Sequence, residues 1–344
     1  MILHLLVSDL FGFDAADGAS FAELELPSLE RLLSRGRWQP AEPLALEAWL
    51  CRAFGVARQQ DWPVAPLTLR LDGGTPGGAY WLRADPVHLQ VQQDRVILAD
   101  SGTFEIGQPE ADVLTDTLNR HFEAEGLVFY PMRPDRWYVR LDAPPRLQTH
   151  PVTDVAGRDV DAFLPVGEDA GNWQRRLTEI QMLLHEHPLN LEREAAGRLP
   201  VNSVWLWGGG RDPAPPQSAY TAVYARDPLA RALALAAGIP ARPLPASARE
   251  WLARVREEQA LVVLDALRGA VQYGDTRGFR EGLAMLESEW FSPLEAALEN
   301  SSLERLLLAP VPAPARVEVA GSDLRKFWRL RKGLGMWAAR AVRG

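Results

Sequence analysis

The chain has 344 residues, 47% of them apolar and 24% charged. That composition belongs to a globular protein able to bury a large core, and the length predicts two domains. A net charge of −8 excludes broad nucleic-acid binding, which needs basic surface to displace counterions. A single cysteine, Cys51, excludes an internal disulfide and any zinc site built from several cysteines.

The opening MILHLLVSDLFGFD carries no basic leader and no small-residue cleavage site, so it is not read as a signal peptide. No apolar run reaches the roughly 18 residues of a spanning helix. The expected address is the cytoplasm, with no transmembrane segment. Ile2 to Val7 reads as a buried strand. LPSLERLLSRG places Leu29, Leu32 and Leu33 on one helical face and stops at Gly36, and LEAWLCRAFG is a second helix stopping at Gly55. From Pro66 to Asp100 the period changes: PLTLRL, AYWL, VHLQV and RVILAD read as strands broken by DGGTPGG and QQD.

Helix returns from Pro109 to Glu125 with Gly126 at its exit, then LVFY and RWYVRL read as strands before a loop to about Gly171. Trp173, Leu177, Ile180 and Leu184 form one apolar stripe on a helix that ends before Pro188. Past residue 200 strands and helices alternate: a strand into the glycines, TAVYA, a helix capped by Asp227 and closed at Gly238, ARPL, a helix near 247–258, ALVVLDAL, helix to about Asn300, RLLLAP and RVEVA. Alternation of this kind predicts a mostly parallel sheet covered on both faces. The expected fold is α/β: a discontinuous α/β domain over 1–84 and 196–344, interrupted by an inserted α+β domain over 85–195.

VNSVWLWGGGRDP is the strangest stretch: an apolar strand with Trp205 and Trp207 runs into Gly208, Gly209 and Gly210. A Walker loop needs a lysine followed by Ser or Thr, whereas Arg211, Asp212 and Pro213 follow here. A dinucleotide fingerprint needs spaced glycines opening a helix, which RDPAPPQ cannot do at once. The plainer reading is a tight strand-to-loop corner with Trp205 and Trp207 on one face.

HPLNLEREAAGRLPVNSVWLWGGG resembles a segment of the archaeal-type cofactor-independent phosphoglycerate mutases, an N-x-x-R-x-x-x-G-x-x-x-A-N run leading into a strand that ends W-G-x-G. The matching residues are Asn190, Arg193, Gly197, Asn202, Trp207, Gly208 and Gly210. LPSLERLLSRG, YWLRADPVHL and DRWYVRL are similar to further segments of that family, so the resemblance covers about the first 210 residues. It is closer still to a bacterial lineage labelled regulatory proteins of the RpfE type. The resemblance implies an alkaline-phosphatase-like three-layer α/β/α domain with the insertion. It also implies two divalent metals held by Asp and His, a Ser or Thr nucleophile that is transiently phosphorylated, and arginines that grip phosphate and carboxylate.

Set against that pattern, Leu46 stands where the resemblance implies the nucleophilic Ser, and Glu47 where it implies Asp. Leucine has no lone pair to attack phosphorus. Cys51 lies one turn on and is an alternative nucleophile or a core residue. The histidines are His4, His88, His121, His150, His185 and His187, so the 157 residues after His187 lack the histidine ligands that the resemblance implies there. Asp9 ends the first strand where a metal ligand is implied, with Asp14 and Asp17 nearby. One carboxylate does not hold two divalent ions, so no metal and no cofactor is expected. His185 and His187 point about 200° apart on a helix and cannot chelate one ion; they read as exposed or capping.

Arg83 matches the arginine of the family's Arg-x-Asn strand, with Asp85 in place of Asn. Arg136 and Arg140 lie on a strand of the insertion. Each is either an anion ligand or one half of a surface ion pair. His88 either faces the cleft or packs. The candidate anion-binding set is therefore Arg83, His88, Arg136, Arg140, Asn190, Asn202 and Asp9, for a small phosphorylated or carboxylated metabolite. From Ser322 the chain carries seven basic residues and one acidic, net +6, which leaves −14 for the rest of a chain of −8. Phe327, Trp328 and Trp337 interleave with those charges. That segment suits an acidic protein partner, an anionic lipid surface or the protein's own acidic body. The expected function is a catalytically inactive, regulatory relative of the phosphoglycerate mutases; the alternatives are an active metal-dependent mutase or phosphatase, and an interaction scaffold.

Overall fold

The computed structural model describes residues 1–12, 21, 24–255 and 257–343; Asp14 and Asp17 lie outside them. The chain divides into two compact units, Met1–Gly55 with Pro216–Gly344, and Val56–Pro215. The second unit extends beyond both ends of the 85–195 insertion read from the sequence. Its outer parts belong there because the strand Ser203–Gly210 pairs along Tyr80–Gln92.

In the first unit the strand Ile2–Ser8 lies between Arg305–Val311 and Gln259–Leu264, parallel to both. Ala222–Tyr224 and Ala241–Arg242 continue the parallel run, and the antiparallel strands Ala315–Ala320 and Arg37–Pro40 close the other edge. Continuous apolar strands suit a sheet buried on both faces. Leu3 and Leu5 on one face and Leu6 on the other have no exposure at all. The helices Pro27–Arg35, Ala248–Arg254, Thr276–Leu286 and Ser292–Glu299 bring Leu29, Leu32, Trp251, Phe279, Leu283 and Leu294 onto the Leu3 and Leu5 side. Leu46–Ala53 and Pro228–Ala236 pack against each other and bury Leu50, Cys51 and Leu233. Sheet and helices make the expected α/β layers, each buried leucine contributing about 1.5–3 kcal/mol.

One helix start in this unit is capped from far along the chain. Pro27–Arg35 has Leu26 at its N-cap, which offers no capping side chain. The buried Glu287 carboxylate accepts from the Ser28 N–H at 2.6 Å and the Leu29 N–H at 3.0 Å instead.

In the second unit the long strand Tyr80–Gln92 pairs antiparallel with Arg95–Ala99, with Arg136–Leu141 and with Ser203–Gly210, and Val128–Arg133 joins Arg136–Leu141. One sheet face is apolar: Tyr80, Leu82, Trp137, Val139, Val204 and Leu206 pack on the helices Gln108–Phe122 and Ala170–His185. The other face is covered by Val64–Leu71, which is a helix and not the strand that PLTLRL suggests. Alternation misleads there because residues 64–69 are all buried, so no polar face sets the period. A second helix, Pro188–Ala195, follows the predicted one at once.

Glu287→Ala is expected to leave two buried helix-start amides without an acceptor and to destabilise the chain by about 2 kcal/mol. Urea melts of the two proteins check this; equal midpoints would reject the capping role.

Candidate functional site

On the helix-covered face of the second unit, period-2 geometry brings Arg83, Asp85, Arg136, Tyr138 and Trp207 together. The Arg83 guanidinium donates through Nε (3.0 Å) and Nη2 (2.6 Å) to Asp85 Oδ1. It also lies 5.4 Å from the Tyr138 ring centre and 5.1 Å from that of Trp207. Trp207 Nε1 donates to the second Asp85 oxygen at 2.7 Å. Burial pushes the Asp85 carboxyl above its ordinary range, against the pull of Arg83 and the indole N–H. Arg136 forks onto Asp72 with two bonds of 2.6 Å, and the Tyr138 hydroxyl donates to the same carboxylate at 2.7 Å. Burial alone would raise Asp72; the Arg136 and Tyr138 bonds outweigh it and hold the carboxyl low. Both forks are thus filled by the chain's own carboxylates. Arg140, on the same strand, has its Nε buried without a hydrogen-bond partner among the described residues.

The glycine corner is filled from within. Gly208 has φ +64°, and a Cβ there would come within 2.9 Å of Val64. At Gly209 a Cβ would meet the Tyr80 hydroxyl at 2.5 Å, and at Gly210 it would meet Pro63 at 2.6 Å. The Gly209 N–H is bonded to Asp61, whose carboxylate also accepts from Thr149 N at 3.1 Å. Gln59 bonds both backbone groups of Arg211. Here three glycines let a helix start and a tyrosine approach the strand.

The residues that carry the resemblance are framework. Asn190 donates to Leu184 O (2.6 Å) and Val201 O (2.8 Å) and accepts from Val201 N (2.9 Å). Buried Arg193 joins Glu110, Leu199 O and Glu105 O. Asn202 pairs with both backbone groups of Leu89. His88 Nδ1 lies 2.9 Å from Pro200 O, and burial lowers its basicity. His187 caps the helix that follows it through Leu189 N. Trp205 donates to His150 O at 2.8 Å. None of Asn190, Asn202 or His88 joins the Arg83–Arg136 cluster by a hydrogen bond.

The first unit holds a different site. In a parallel sheet, loops at the carboxyl ends of adjacent strands gather at one edge, where α/β proteins place their ligands. Asp9, Asp265 and Asp227 follow Ile2–Ser8, Gln259–Leu264 and Ala222–Tyr224. Asp9 has φ +59°, a left-handed conformation that side chains rarely adopt without a local constraint. Its N–H donates to Val311 O at 2.6 Å. Arg268 enters this edge: its Nη2 donates to Ser8 Oγ at 3.3 Å, and its Nε is 4.0 Å from Asp9 Oδ2. Burial would lower the guanidinium's pKa, but the charges of Glu47, then Asp227, Asp9 and Asp265, hold it above its ordinary value. Burial raises both Asp9 and Asp227, and Arg268 opposes it in each. Sequence reasoning missed Arg268, Asp227 and Asp265 as site residues. The signal was there: VSD, VVLD and VYARD each end an apolar strand near an aspartate.

Leu46 is buried at the first position of Leu46–Ala53. Cys51 is wholly buried, and burial with the Glu47 and Asp227 charges pushes its thiol far up, away from a nucleophilic thiolate. His4, the one histidine in this unit's sequence, lies near Tyr220 Oη (3.5 Å) and Gln259 Nε2 (3.2 Å) and is pushed down to about 4 by burial and then Arg316. The donor set does not fit a pair of divalent cations. Its carboxylates face a guanidinium that stays charged at any ordinary pH. Among the described residues no three His, Cys, Asp or Glu side chains are grouped to hold a metal ion.

No family model matches the chain. It is 30% identical over 137 residues to a 2,3-bisphosphoglycerate-independent phosphoglycerate mutase of Methanosarcina mazei, covering 38% of this chain and 34% of that one. A protein of the same name from Methanosarcina acetivorans is 31% identical over 118 residues, 34% of this chain and 30% of the relative. Over these stretches the chain is similar to phosphoglycerate mutases of the 2,3-bisphosphoglycerate-independent kind. The match spans about a third of the length of these curated relatives. Among solved structures, a Pyrococcus horikoshii protein shares the fold at TM-score 0.54 and 13% identity, over 97% of this chain and 92% of that one. A cofactor-independent phosphoglycerate mutase from Thermoplasma acidophilum aligns over 99% of this chain and 94% of its own at 15% identity and TM-score 0.48; the fold comparison rests on the former. No described helix is long and apolar enough to cross a membrane.

Asp85→Ala would strand the Arg83 guanidinium, whose residue is 6% exposed, without its carboxylate, which is expected to destabilise the chain by about 3–5 kcal/mol. Denaturant melts measure this, and a loss below about 1 kcal/mol would mean the pair is solvated in solution.

Proposed function

We propose that this chain is a catalytically inactive phosphoglycerate-mutase-like protein that works by binding, in a regulatory role. The observation that carries the reading is Arg268, whose guanidinium lies beside Asp9 and within the field of Glu47, Asp227 and Asp265. Phosphoryl transfer by a metal pair needs hard ligands that close on the cations and an oxygen nucleophile beside them. At this edge a cation of the chain itself already sits among the carboxylates, and Leu46 supplies no oxygen.

The binding partner this reading favours is a small phosphorylated or carboxylated metabolite. Of the three arginines proposed to grip it, Arg83 and Arg136 are engaged with Asp85 and Asp72. Arg140, with its unpartnered Nε, is the one left to offer a charge-assisted bond. The rival, an active metal-dependent mutase or phosphatase, is favoured by the names of the relatives.

Purified protein is expected to carry no stoichiometric zinc, manganese or magnesium and to give no interconversion of 2- and 3-phosphoglycerate with added manganese. Two bound ions, or turnover abolished by chelator and restored by metal, would establish the rival. Arg268→Ala is expected to destabilise the chain by about 3 kcal/mol, since the carboxylates lose their cation; unchanged stability would remove the main support. In thermal melts, 3-phosphoglycerate at about a hundred times its dissociation constant is expected to add about 2.7 kcal/mol, and Arg140→Gln to abolish that gain.

A further inference from the structure

The segment from Ser322 has two sides. Its inner side is anchored on the first unit: Leu324, Leu334 and Trp337 are at most 5% exposed. Trp337 stacks on Trp38 with ring centres 4.6 Å apart. Arg329 donates to the carbonyls of Arg35 and Gly36 at 3.0 Å, and Arg331 lies 3.3 Å from Glu30. Its outer side is unlike the rest of the surface. Phe327 is 77% exposed, Trp328 65% and Leu330 78%. The two rings meet edge to face at 5.3 Å.

We propose that this loop, with Phe327, Trp328 and Leu330 exposed beside the basic residues Arg325, Arg329, Arg331 and Lys332 in sequence, is a contact for an anionic lipid surface. A loop pinned at both ends has no need to push three large apolar side chains into water. It holds them there at the cost of their burial, so a second environment is needed to account for them. Charge says which. The segment carries +6 on a remainder of −14, and five of its seven basic residues fall at 325–332, the stretch that holds the apolar trio. An acidic protein would answer the arginines but would need an apolar pocket for each of the three side chains. The boundary between headgroups and acyl chains answers both, taking Trp, Phe and Leu below and Arg and Lys above. Attraction to anionic headgroups acts within a Debye length and is screened by salt.

The inference goes beyond the proposed function and stands if that reading fails. The experiment is sedimentation of the full chain with phosphatidylcholine vesicles, with and without phosphatidylglycerol. Binding is expected only to the anionic vesicles, weakened by high salt. Replacing Phe327, Trp328 and Leu330 together by alanine is expected to lower vesicle affinity by about tenfold or more. Those side chains are exposed, so the melting temperature should not move; if it falls, Trp328→Ser alone is expected to weaken binding several-fold. Arg325→Gln should weaken binding and flatten its salt dependence. Equal binding to neutral vesicles, no binding to either, or alanine variants that bind as well as the parent would overturn the proposal. So would capture on immobilised polyglutamate that the triple variant retains in full, which would assign the segment to an acidic protein.

Discussion

The first unit turns on one electrostatic requirement, a cation for the carboxylates that a parallel sheet collects at its carboxyl edge. Topology puts Asp9, Asp227 and Asp265 there, because adjacent parallel strands end on the same side. Glu47, buried at the start of its helix, adds to the same field. Like charges in a partly dry site raise one another and are costly unless something positive sits among them. Here the positive group is part of the chain. Arg268 reaches in from the first position of the short helix Arg268–Gln272, three residues past Asp265, and bonds Ser8 on the neighbouring strand. A tethered guanidinium cannot dissociate or give up its proton. A metal ion in the same place could dissociate as conditions changed.

The second unit meets a similar requirement twice on one sheet face. Arg83 with Asp85 and Arg136 with Asp72 are arginine forks closed by carboxylates two residues away or on the covering helix's end. Tyr138 and Trp207 supply both the hydrogen bonds that complete the carboxylates and ring faces for Arg83. Such pairs are costly to break and of small net benefit to keep. Their effect is to fix register and to leave little unsatisfied charge on the face. The glycine corner follows the same logic, its amides and space taken by Asp61, Tyr80 and Pro63.

Much of the architecture was legible in the chain. Apolar runs bounded by glycine or proline marked Ile2–Ser8, Gln259–Leu264 and Arg305–Val311, and the alternation of strands and helices gave the α/β class. The Trp173 stripe found Ala170–His185, because one buried face imposes the period of 3.6. The method failed where burial is all round. Residues 64–69 of Val64–Leu71 are all buried, so polar and apolar positions there set no period. The site was less legible than the fold. Asn190, Arg193 and Asn202 stand out in sequence by chemistry, yet their side chains are spent within the chain, on backbone groups 6 to 113 residues away and, for Arg193, on the Glu110 carboxylate as well. A motif reveals that polar atoms are needed, not whether a ligand or the chain itself needs them.

Arg268 is the reverse case, a residue with no motif whose meaning is wholly spatial. In sequence it is one of many arginines. In space its Nε lies 4.0 Å from Asp9 Oδ2. The carboxylates on the strand ends have structural roles of their own: Asp227 also caps Pro228–Ala236, accepting from Ala230 N at 2.8 Å. Removing those acids would cost the cap, and leaving them without a cation would cost the fold. An internal guanidinium meets both constraints, so the acidic edge is held as structure by a charge that belongs to the chain itself.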